Sequence, residues 1–357
     1  MRVEMIETLP AFLVLEEAWN AVYDSDPQSQ FFLSFPWMAS TFARHEHWRV
    51  LAVRYDGDGP FIAFMPLRRL AVFNPKRGEF QNEIQLAGTW TWADYNGLLC
   101  HPEHESAAIP ALAEGLKKLH WSRIDLRHLY LSDHRLELFT KGFVDQTLII
   151  ESGDDSVQSD GTNNSVCPVV DLPADYETYL TQSISANMRQ KLRRLVRTLE
   201  ATPELRVVES DARTFDRDAD ALIGFWKKTW ADRKGRKLDR LARKYRAILQ
   251  QAHEAGVLYM PVLFKGDARV GVIACFMDER KKAMLYFVAG REETFEQPSP
   301  GLILHAHAIR WAIEHGFKTY DFLRGDERFK YSFGGKDRTI RNMVIRTRSG
   351  ANLHGML

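Results

Sequence analysis

The sequence predicts a mixed α/β fold in which one structural unit occurs twice. The first observation is a pair of hairpin signals, one in each half of the chain. Residues 49–55 and 61–67 are apolar strands joined by an Asp-Gly-Asp-Gly turn, and residues 257–264 and 270–277 flank a Lys-Gly-Asp turn in the same way. Each signal predicts two antiparallel strands at the start of a sheet.

The second observation is the order of elements after each hairpin. A third strand ends in Ala-Gly in both halves, at Gly88 and at Gly290, which is an offset of 202. A polar loop and a helix follow, and then a short strand with an acidic residue, at residues 123–126 in the first half and 319–323 in the second. The shared order indicates duplication of one α/β unit.

The boundary between the two halves is predicted near residue 172. Residues 151–168 are rich in Ser, Asp, Asn and Gly, a composition typical of an exposed connection. Residues 169–172 then form a short apolar strand. We therefore expect two domains, residues 1–172 and residues 173–357.

Composition predicts a cytoplasmic globular protein without a membrane span or a metal. The 357 residues are 45% hydrophobic and 27% charged, and no apolar run approaches the roughly 20 residues that cross a membrane. The first 20 residues carry four glutamates, which is unlike a signal peptide. Cys100, Cys167 and Cys275 are far apart and form no CxxC pair, so neither a disulfide framework nor a thiolate zinc site is expected.

Basic residues are concentrated in one segment, although the net charge is only +1. Residues 187–246 hold 18 Lys and Arg against 9 Asp and Glu, so the rest of the chain carries a balance of −8. A polyanionic partner, such as a phosphorylated cofactor, RNA or an acidic glycan, fits this segment. The alternative is a solvated basic face, because the helix predicted at residues 187–200 places its apolar positions on one side.

A second basic helix pair is predicted at residues 215–251. Its connection at residues 232–238 has the glycine and the charge of an exposed loop, and it could fold over a bound ligand. We therefore assign Trp226 and Arg233 of this helix pair to substrate binding.

Residues 299–335 carry the most informative functional signal. Pro300 and Gly301 open a predicted helix, and a buried strand and a basic turn follow it. Since a helix N-terminus presents unpaired N–H groups and a positive dipole end, Ser299, Gly301 and Leu302 are candidate phosphate ligands. The alternative is an ordinary α/β crossover, which also has glycines at the ends of its helix.

This segment, with its PG, YDFL, GDE and FK elements, resembles the C-terminal half of the CelD-like, Fem-related branch of the GNAT acyltransferase superfamily. The preceding VDLP and NMRQKLRRLVRTLE elements are similar to the lead-in of that domain. The resemblance covers residues 170–335 well and the first half of the chain only loosely. It implies two tandem GNAT-like domains, residues 1–172 on the acceptor side and residues 173–357 on the donor side.

The implied activity is transfer of an acyl group from acyl-CoA to an amine or hydroxyl of a small molecule, amino sugar or glycan precursor. The pyrophosphate loop that is usual in the superfamily, Q/R-x-x-G-x-G/A, is reduced to REETFEQPSPG at residues 291–301. Fem enzymes use aminoacyl-tRNA, so a tRNA-dependent transferase is one alternative. A non-catalytic scaffold or binding protein of polysaccharide biosynthesis is the other.

The resemblance also implies catalytic residues in the second half. GNAT-type enzymes typically stabilise the oxyanion with a backbone N–H at a splayed strand, and residues 283–288 occupy that place. On this strand Tyr286 is a candidate general acid or substrate contact, with a core aromatic as the alternative. Lys330 is expected at a surface-accessible position where it contacts donor or substrate. Glu327 or Asp321 is a candidate base, with ion pairing to a nearby arginine as the alternative.

In the first half, the segment TWADYNG resembles the acceptor-binding loop of Fem-type proteins. Trp92, Asp94 and Tyr95 are therefore candidate substrate contacts, and an acidic residue there would hold an ammonium or a hydroxyl. The alternative is an exposed loop that its tryptophans pin in place.

Other motifs lack the required spacing or do not occur. His45 and His47 are two residues apart, as are His305 and His307, which is not the spacing of an HExxH zinc site. We expect His305 and His307 to serve helix packing and the surface. The sequence contains no P-loop, no GxGxxG and no GxSxG element.

Overall fold

The computed structural model describes residues 1–153, 157, 161–295 and 299–349. The chain divides into two compact units: unit 1 is Met1–Ser165 with the segment from Thr339 onward, and unit 2 is Val166–Arg338. Each unit contains one mixed sheet with helices packed on it, so the predicted mixed α/β fold class is confirmed. Among the described residues, no helix is long and apolar enough to cross a membrane.

Unit 1 is built on a sheet with the order β1-β2-β3-β4-β6-β16-β7, and β5 pairs with β3. Its strands, numbered in chain order, are β1 (Arg2–Ile6), β2 (Trp48–Arg54), β3 (Phe61–Asn74), β4 (Glu79–Leu86), β5 (Leu99–Cys100), β6 (Arg123–Leu129), β7 (Leu148–Ser152) and the last strand of the chain, β16 (Arg341–Thr347). Its α-helices are α1 (Leu9–Leu13), α2 (Glu16–Ser25), α3 (Phe35–Arg44), α4 (Glu105–Lys117) and α5 (Asp133–Lys141).

Unit 2 is built on a sheet with the order β15-β8-β14-β13-β12-β11-β9, and β10 pairs with β12. Its strands are β8 (Val166–Asp171), β9 (Leu205–Glu209), β10 (Leu258–Tyr259), β11 (Pro261–Lys265), β12 (Ala268–Asp278), β13 (Ala283–Arg291), β14 (Thr319–Asp321) and β15 (Lys336–Thr339). Its α-helices are α6 (Tyr176–Thr178), α7 (Ala186–Ala201), α8 (Phe215–Lys234), α9 (Leu238–Glu254), α10 (Pro300–Glu314) and α11 (Arg328–Ser332).

The two sheets share one topology. In unit 1 an antiparallel hairpin, β2-β3, leads to β4, which pairs in parallel with β6, and β6 pairs antiparallel with β16. In unit 2 the same relations join β11-β12, β13, β14 and β8. The repeated order of elements that the sequence predicts is therefore present in both units.

The Ala-Gly match that suggested the repeat is out of register by two residues. The parallel pairing starts at Glu83 in unit 1 and at Ala283 in unit 2, so equivalent positions differ by 200 rather than 202. Gly88 lies just beyond the end of β4, whereas Gly290 lies inside β13. The two glycines are therefore not structural counterparts.

The structure places the division between the units differently from the predicted boundary near residue 172. Strand β8 ends at Asp171 and pairs with β14 of unit 2, whereas β16 returns to pair with β6 of unit 1. A local apolar pattern does not specify which sheet a strand joins, because that depends on contacts distant in sequence. Part of the predicted connection, residues 154–156 and 158–160, lies outside the described residues.

Two helix layers cover the sheet of unit 2 and fix the position of its helix ends. α7 and α10 bury their apolar faces with Ile273 and Met284 on one side, and α8 and α9 pack on Val272 and Val288 on the other. A Cβ at Gly271 would lie 2.9 Å from Pro300 Cβ, so glycine allows the start of α10 to approach β12 closely.

Candidate active site

Strand β13 loses its parallel neighbour partway along its length. It pairs with β14 only at residues 283–285, because β14 ends at Asp321. On its other edge it pairs with β12 as far as Arg291. Among the described strands none pairs with residues 286–291 on the β14 side, so one backbone edge is open there.

A β-bulge in β13 sets the direction of its side chains. Cys275 pairs with Tyr286 and Ala274 with Val288, so Phe287 is an extra residue in this strand. Phe287 and Val288 consequently pack in the layer of α8 and α9. Tyr286 packs with the residues of α10 on the opposite face.

A cavity of about 630 Å³ lies beside this open edge, a volume typical of small-ligand sites. Its wall is contributed by α7, α8, β12, β13, α10 and α11, and most of it is apolar. The lining residues are Ser185, Asn187, Met188, Lys191, Thr229, Trp230, Ile273, Tyr286, Ala289, Gly290, Arg291, Ser299, Gly301, Leu302, Leu304, His305, Phe329, Ser332 and Phe333.

Two helix N-termini face this cavity. The first turn of α10 contributes Gly301 and Leu302, and its N-cap residue Ser299 makes no side-chain capping bond. The segment around the start of α7 contributes Ser185 and Asn187. Because the first N–H groups of a helix have no intrahelical partner, this geometry favours a negatively charged ligand.

The charged side chains of the cavity point to the same ligand class. Lys191 and Arg291 are exposed cations in its wall, and none of the described lining residues is Asp or Glu. Of the other ionisable lining residues, His305 is buried and Tyr286 is half-buried. The cavity is therefore electropositive and holds no carboxylate base among its described lining residues.

His305 is the buried polar group of this cavity that the sequence analysis assigned to packing. Its side chain is 4% exposed, and its Nδ1 lies 3.0 Å from the hydroxyl of Tyr320. Burial and the nearby Lys330 ammonium lower the pKa of His305 to about 3. The imidazole is therefore neutral at physiological pH.

Tyr286 lies where the sequence predicts it, in the cavity wall on the splayed strand. Its ring meets the His305 imidazole edge-on, with centroids 4.7 Å apart. Burial raises the pKa of Tyr286 above its ordinary value, and the Cys275 and Glu327 groups act in the same direction. Its phenol therefore stays protonated and can donate a hydrogen bond into the cavity.

The three predicted phosphate ligands, Ser299, Gly301 and Leu302, all line the cavity at the start of α10. The structure thus brings them together with Tyr286, although they are 13 to 16 residues away in the sequence. Their role in binding a phosphate stays a prediction.

The expectation that Lys330 is surface-accessible is wrong, because this residue is only 2% exposed. Its ammonium donates to the carbonyls of the turn after β14, at Leu323 (3.3 Å), Arg324 (2.7 Å) and Gly325 (2.9 Å). It also pairs with Glu327 at 2.8 Å, so Glu327 is an ion-pair partner of Lys330. This pair fixes the turn and lies outside the set of cavity-lining residues.

Trp226 and Arg233 are not among the described cavity-lining residues, and their assignment to substrate binding stays a prediction. Trp226 is 4% exposed and packs 4.8 Å from Tyr245 in the core between α8 and α9. The guanidinium of Arg233 stacks over Trp230 at 5.4 Å. It is Trp230, one helical turn after Trp226, that reaches the cavity wall.

The candidate acceptor loop of unit 1 is only partly accessible. Tyr95 is fully buried and packs edge-on against Tyr130, so its side chain does not present a contact to an acceptor. Trp92 takes a left-handed conformation with φ of 54°, and both Trp92 and Asp94 are half-buried. The assignment of Trp92 and Asp94 to acceptor contacts stays a prediction.

Sequence reasoning missed Lys191, Trp230, Arg291 and His305 as cavity residues. His305 follows Gly301 by four residues, which places both on the same face of α10. That spacing could have identified it. Trp230 and Arg291 carry no comparable signal, because their convergence depends on how α8 packs on β13.

A possible metal-binding group occurs in unit 1. His101, Glu103 and His104 offer ligand atoms that all lie within 4.8 Å of one another. Nδ1 of His101 accepts from the Glu103 N–H at 3.4 Å, and Nδ1 of His104 lies 3.1 Å from the Tyr55 hydroxyl. One nitrogen of each imidazole is thus already engaged, and the absence of a metal stays a prediction.

Residues 186–331, less than half of the chain, match the family model described as "Acetyltransferase (GNAT) domain". This stretch contains all the cavity-lining residues except Ser185, Ser332 and Phe333. Among curated proteins, none matches the sequence.

Solved structures share the fold over nearly the full length of the chain. The crystal structure of FemX aligns with a TM-score of 0.66 and 13% identity, and the alignment covers 97% of each chain. The C-terminal domain (DUF2156) of a putative lysylphosphatidylglycerol synthetase from Agrobacterium fabrum aligns with a TM-score of 0.54 and 12% identity, and the alignment covers 95% of this chain and 93% of that one. L-PGS from Bacillus licheniformis aligns with a TM-score of 0.51 and 10% identity, and the alignment covers 93% of this chain and 92% of that one.

Proposed function

We propose that this protein is a GNAT-type acyltransferase that uses acyl-CoA and acylates an amine or hydroxyl of a small molecule, amino sugar or glycan precursor. One observation carries the proposal: the cavity joins the open edge of β13 to the start of α10 within the stretch that matches the GNAT domain. An acyl donor needs both features, an anion site for its phosphates and hydrogen-bond donors for its carbonyl.

The phosphate end of the donor is proposed at Ser299, Gly301 and Leu302. Their position at a helix N-terminus supports this, as do the exposed cations Lys191 and Arg291 in the same cavity wall. An isolated carboxylate there would repel a pyrophosphate, and none occurs among the described lining residues.

The reacting carbonyl is proposed beside Tyr286 at the open edge of β13. The amine or hydroxyl attacks the thioester carbon, and backbone N–H groups of this edge stabilise the oxyanion that forms. The C–S bond then breaks, and Tyr286, whose side chain lines the cavity, is proposed as the acid that gives a proton to the thiolate. Water takes up the proton of the attacking group and restores that of Tyr286.

Lys330 and Glu327 take a supporting part in this proposal. They hold the turn after β14 through three carbonyls and one ion pair, and Phe329 beside them lines the cavity. Both residues are therefore proposed to position the wall of the site.

The donor is tested by calorimetric titration and thermal denaturation with coenzyme A, acetyl-CoA and octanoyl-CoA. Binding should stabilise the fold by about 2.7 kcal/mol at 100 times the dissociation constant. Arg291→Ala should weaken binding roughly tenfold by removing one phosphate-binding cation. Lys336→Ala is the matched control, because Lys336 is exposed in unit 2 and lies outside the cavity lining. No heat and no shift at millimolar coenzyme A would contradict the proposal.

A Fem-like transferase that takes aminoacyl-tRNA is the second candidate. The basic excess of residues 187–246 favours it, since α7 carries the exposed Arg194 and Arg197 next to cavity residue Lys191. Titration with tRNA in parallel decides between the donors. A salt-dependent shift with tRNA and none with coenzyme A would favour this candidate.

The sequence elements VDLP, PG, YDFL and GDE support placement in the CelD-like, Fem-related branch. On that placement, unit 1 is proposed as the acceptor side and unit 2 as the donor side. A role in polysaccharide biosynthesis and a cytoplasmic location stay predictions.

A further inference from the structure

His305 is held in one orientation at the boundary between the core and the cavity. Tyr320 is fully buried, and burial raises the pKa of its phenol well above the ordinary value, so the hydroxyl keeps its proton. That hydroxyl has two neighbours, His305 Nδ1 at 3.0 Å and Cys275 Sγ at 3.8 Å. Sulfur is the weaker acceptor and lies farther away, so the Tyr320 hydroxyl donates to Nδ1.

The bond from Tyr320 determines the tautomer of His305. A neutral imidazole that accepts at Nδ1 carries its proton at Nε2. No described residue forms a hydrogen bond with Nε2 of His305. The fully enclosed polar atoms that lack a partner include Nε2 of His307 but not Nε2 of His305, so Nε2 of His305 is not fully enclosed. Because the His305 side chain lines the cavity, this N–H is presented to a ligand.

We propose that His305 is a catalytic residue that donates a hydrogen bond from Nε2 to the carbonyl oxygen of the transferring acyl group. This inference rests on the proposed acyl transfer. The attacking nitrogen or oxygen forms a bond to the thioester carbon, and the π electrons move to the oxygen, which accepts the Nε2 hydrogen bond. The C–S bond then breaks and the carbonyl re-forms. The thiolate takes a proton from Tyr286, and the acceptor loses its own to water.

A neutral imidazole suits this role and excludes that of a general base. The ionisable groups that face His305 are the phenols of Tyr286 and Tyr320 and the ammonium of Lys330, and no carboxylate pairs with it among the described residues. These surroundings disfavour the imidazolium, so His305 keeps its Nε2 proton across the neutral pH range. A fixed donor in a partly dry site stabilises negative charge without reorganisation.

The first test needs no ligand and no activity. Long-range ¹H–¹⁵N spectra of histidine-labelled protein, assigned with His305→Gln, report the tautomer of each imidazole. We expect the Nε2–H form of His305 at pH 5 and at pH 8 without titration between them. An Nδ1–H form, or a titration near the ordinary histidine pKa, would overturn the proposal.

The second test measures transfer kinetics with the best acyl-CoA found for the wild-type chain. His305→Phe keeps a ring but no donor and should lower kcat by roughly 100-fold, as for other oxyanion donors, with little change in KM for acyl-CoA. His305→Gln restores an N–H and should stay within tenfold of wild type. His307→Gln, on the same helix but outside the cavity lining, is the control and should keep wild-type kcat.

Tyr320→Phe tests whether a fall in kcat results from the altered His305 imidazole rather than from loss of folding. It keeps the buried ring but removes the hydroxyl that fixes the tautomer, so kcat should fall and the Nδ1–H form should appear in the spectra. Thermal denaturation of all variants establishes that they are folded. Equal kcat for folded His305→Phe and wild type overturns the role of His305 alone. Absence of transfer and of coenzyme A binding in the wild-type chain overturns the proposed function as well.

Discussion

The two sheets follow one topology, but they differ in what fills the space beside the parallel strand pair. In unit 1, β4 ends at Leu86, one residue after the pairing with β6, and the chain turns into a short helix at Ala87–Thr91. Asn96 then bonds to the backbone next to β6, donating to His128 O at 2.8 Å and accepting from Tyr130 N at 2.9 Å. In unit 2, β13 continues to Arg291 and its edge stays open.

The consequence is a cavity in one unit and a filled core in the other. The gap beside Met65, Gly97 and Leu126 in unit 1 has no room for a water molecule, whereas the cavity of unit 2 measures about 630 Å³. Unit 1 buries the charged pair of Arg135 and Asp26, whereas the cavity wall of unit 2 contains the exposed cations Lys191 and Arg291 and the neutral side chains of Tyr286 and His305. The cavity of unit 2 thus lies beside a strand edge that no other described strand pairs with.

The largest effect is expected for the buried charge of unit 1. Arg135 is fully buried, bonds to both carboxylate oxygens of Asp26 at 2.8 and 2.9 Å, and reaches Glu105 at 2.8 Å. Arg135→Met leaves the Asp26 carboxylate buried without the Arg135 guanidinium and should lower the free energy of unfolding by about 3–5 kcal/mol. Urea denaturation measures this. Lys141→Met, which breaks an exposed pair with Glu137, is the control and should change it by less than about 1 kcal/mol.

Binding of coenzyme A by the Arg135→Met variant shows whether the Arg135 charge is structural or belongs to the site. Arg135→Met protein that is still folded should bind coenzyme A as wild type does. Lower affinity of the folded variant for coenzyme A would connect unit 1 to donor binding and contradict the proposed difference between the two units.

The next effect is expected at the turn of unit 2. Lys330→Ala removes the donor to three carbonyls and should cost about 2–4 kcal/mol of unfolding free energy. Lys336→Ala removes an exposed pair with Asp171 and should cost less than about 1 kcal/mol. If Lys330→Ala loses turnover while its stability equals that of wild type, Lys330 acts in the chemistry and not in the turn.

A pH effect on stability is expected from His305. Because its folded-state pKa of about 3 lies below the unfolded value near 6.5, the unfolded chain binds the proton first as pH falls. The contribution of neutral His305 to the free energy of unfolding is complete above pH 6.5. It is lost progressively towards pH 3, and the loss at pH 5 is about 2 kcal/mol. The difference in unfolding free energy between wild type and His305→Gln, measured from pH 8 to pH 5, should show this slope. Parallel curves would contradict the buried, neutral state of the imidazole.

The smallest effect is expected at Gly301. A Cβ there meets no atom of the described residues within 4 Å, so Gly301→Ala should keep or raise stability by up to about 1 kcal/mol. The added methyl group restricts approach to the start of α10, and affinity for coenzyme A should fall roughly fivefold, about 1 kcal/mol. Gly224→Ala, equally open on α8 but outside the cavity, should leave affinity unchanged. Equal affinity of both variants would argue against phosphate binding at α10.

The fold was predictable because its signals are local. The hairpins, the helix after Pro300 and the strand at residues 319–321 each have a periodicity and a turn that specify them. The exchange of β8 and β16 between sheets was not predictable, because strand partners are set by distant contacts.

The site was predictable only where one element carries it. Ser299, Gly301 and Leu302 follow from a single helix start, and Tyr286 from a single strand. The role of Lys330 was not predictable in this way. Its match to a family pattern indicates that the residue is important, but only the packed turn shows that its ammonium donates hydrogen bonds to backbone carbonyls. Trp226 and Trp230 differ by one helical turn, and the packing of α8 decides which of them reaches the cavity.

We propose that the open edge of β13 and the start of α10 bind the acyl donor, while the equivalent place in unit 1 is closed. Amide hydrogen exchange with and without acetyl-CoA measures both places in one experiment. We expect slower exchange at residues 286–291 and 299–305 and no change at residues 87–100. Unchanged exchange at residues 286–291 with saturating donor, or protection confined to residues 87–100, would contradict it.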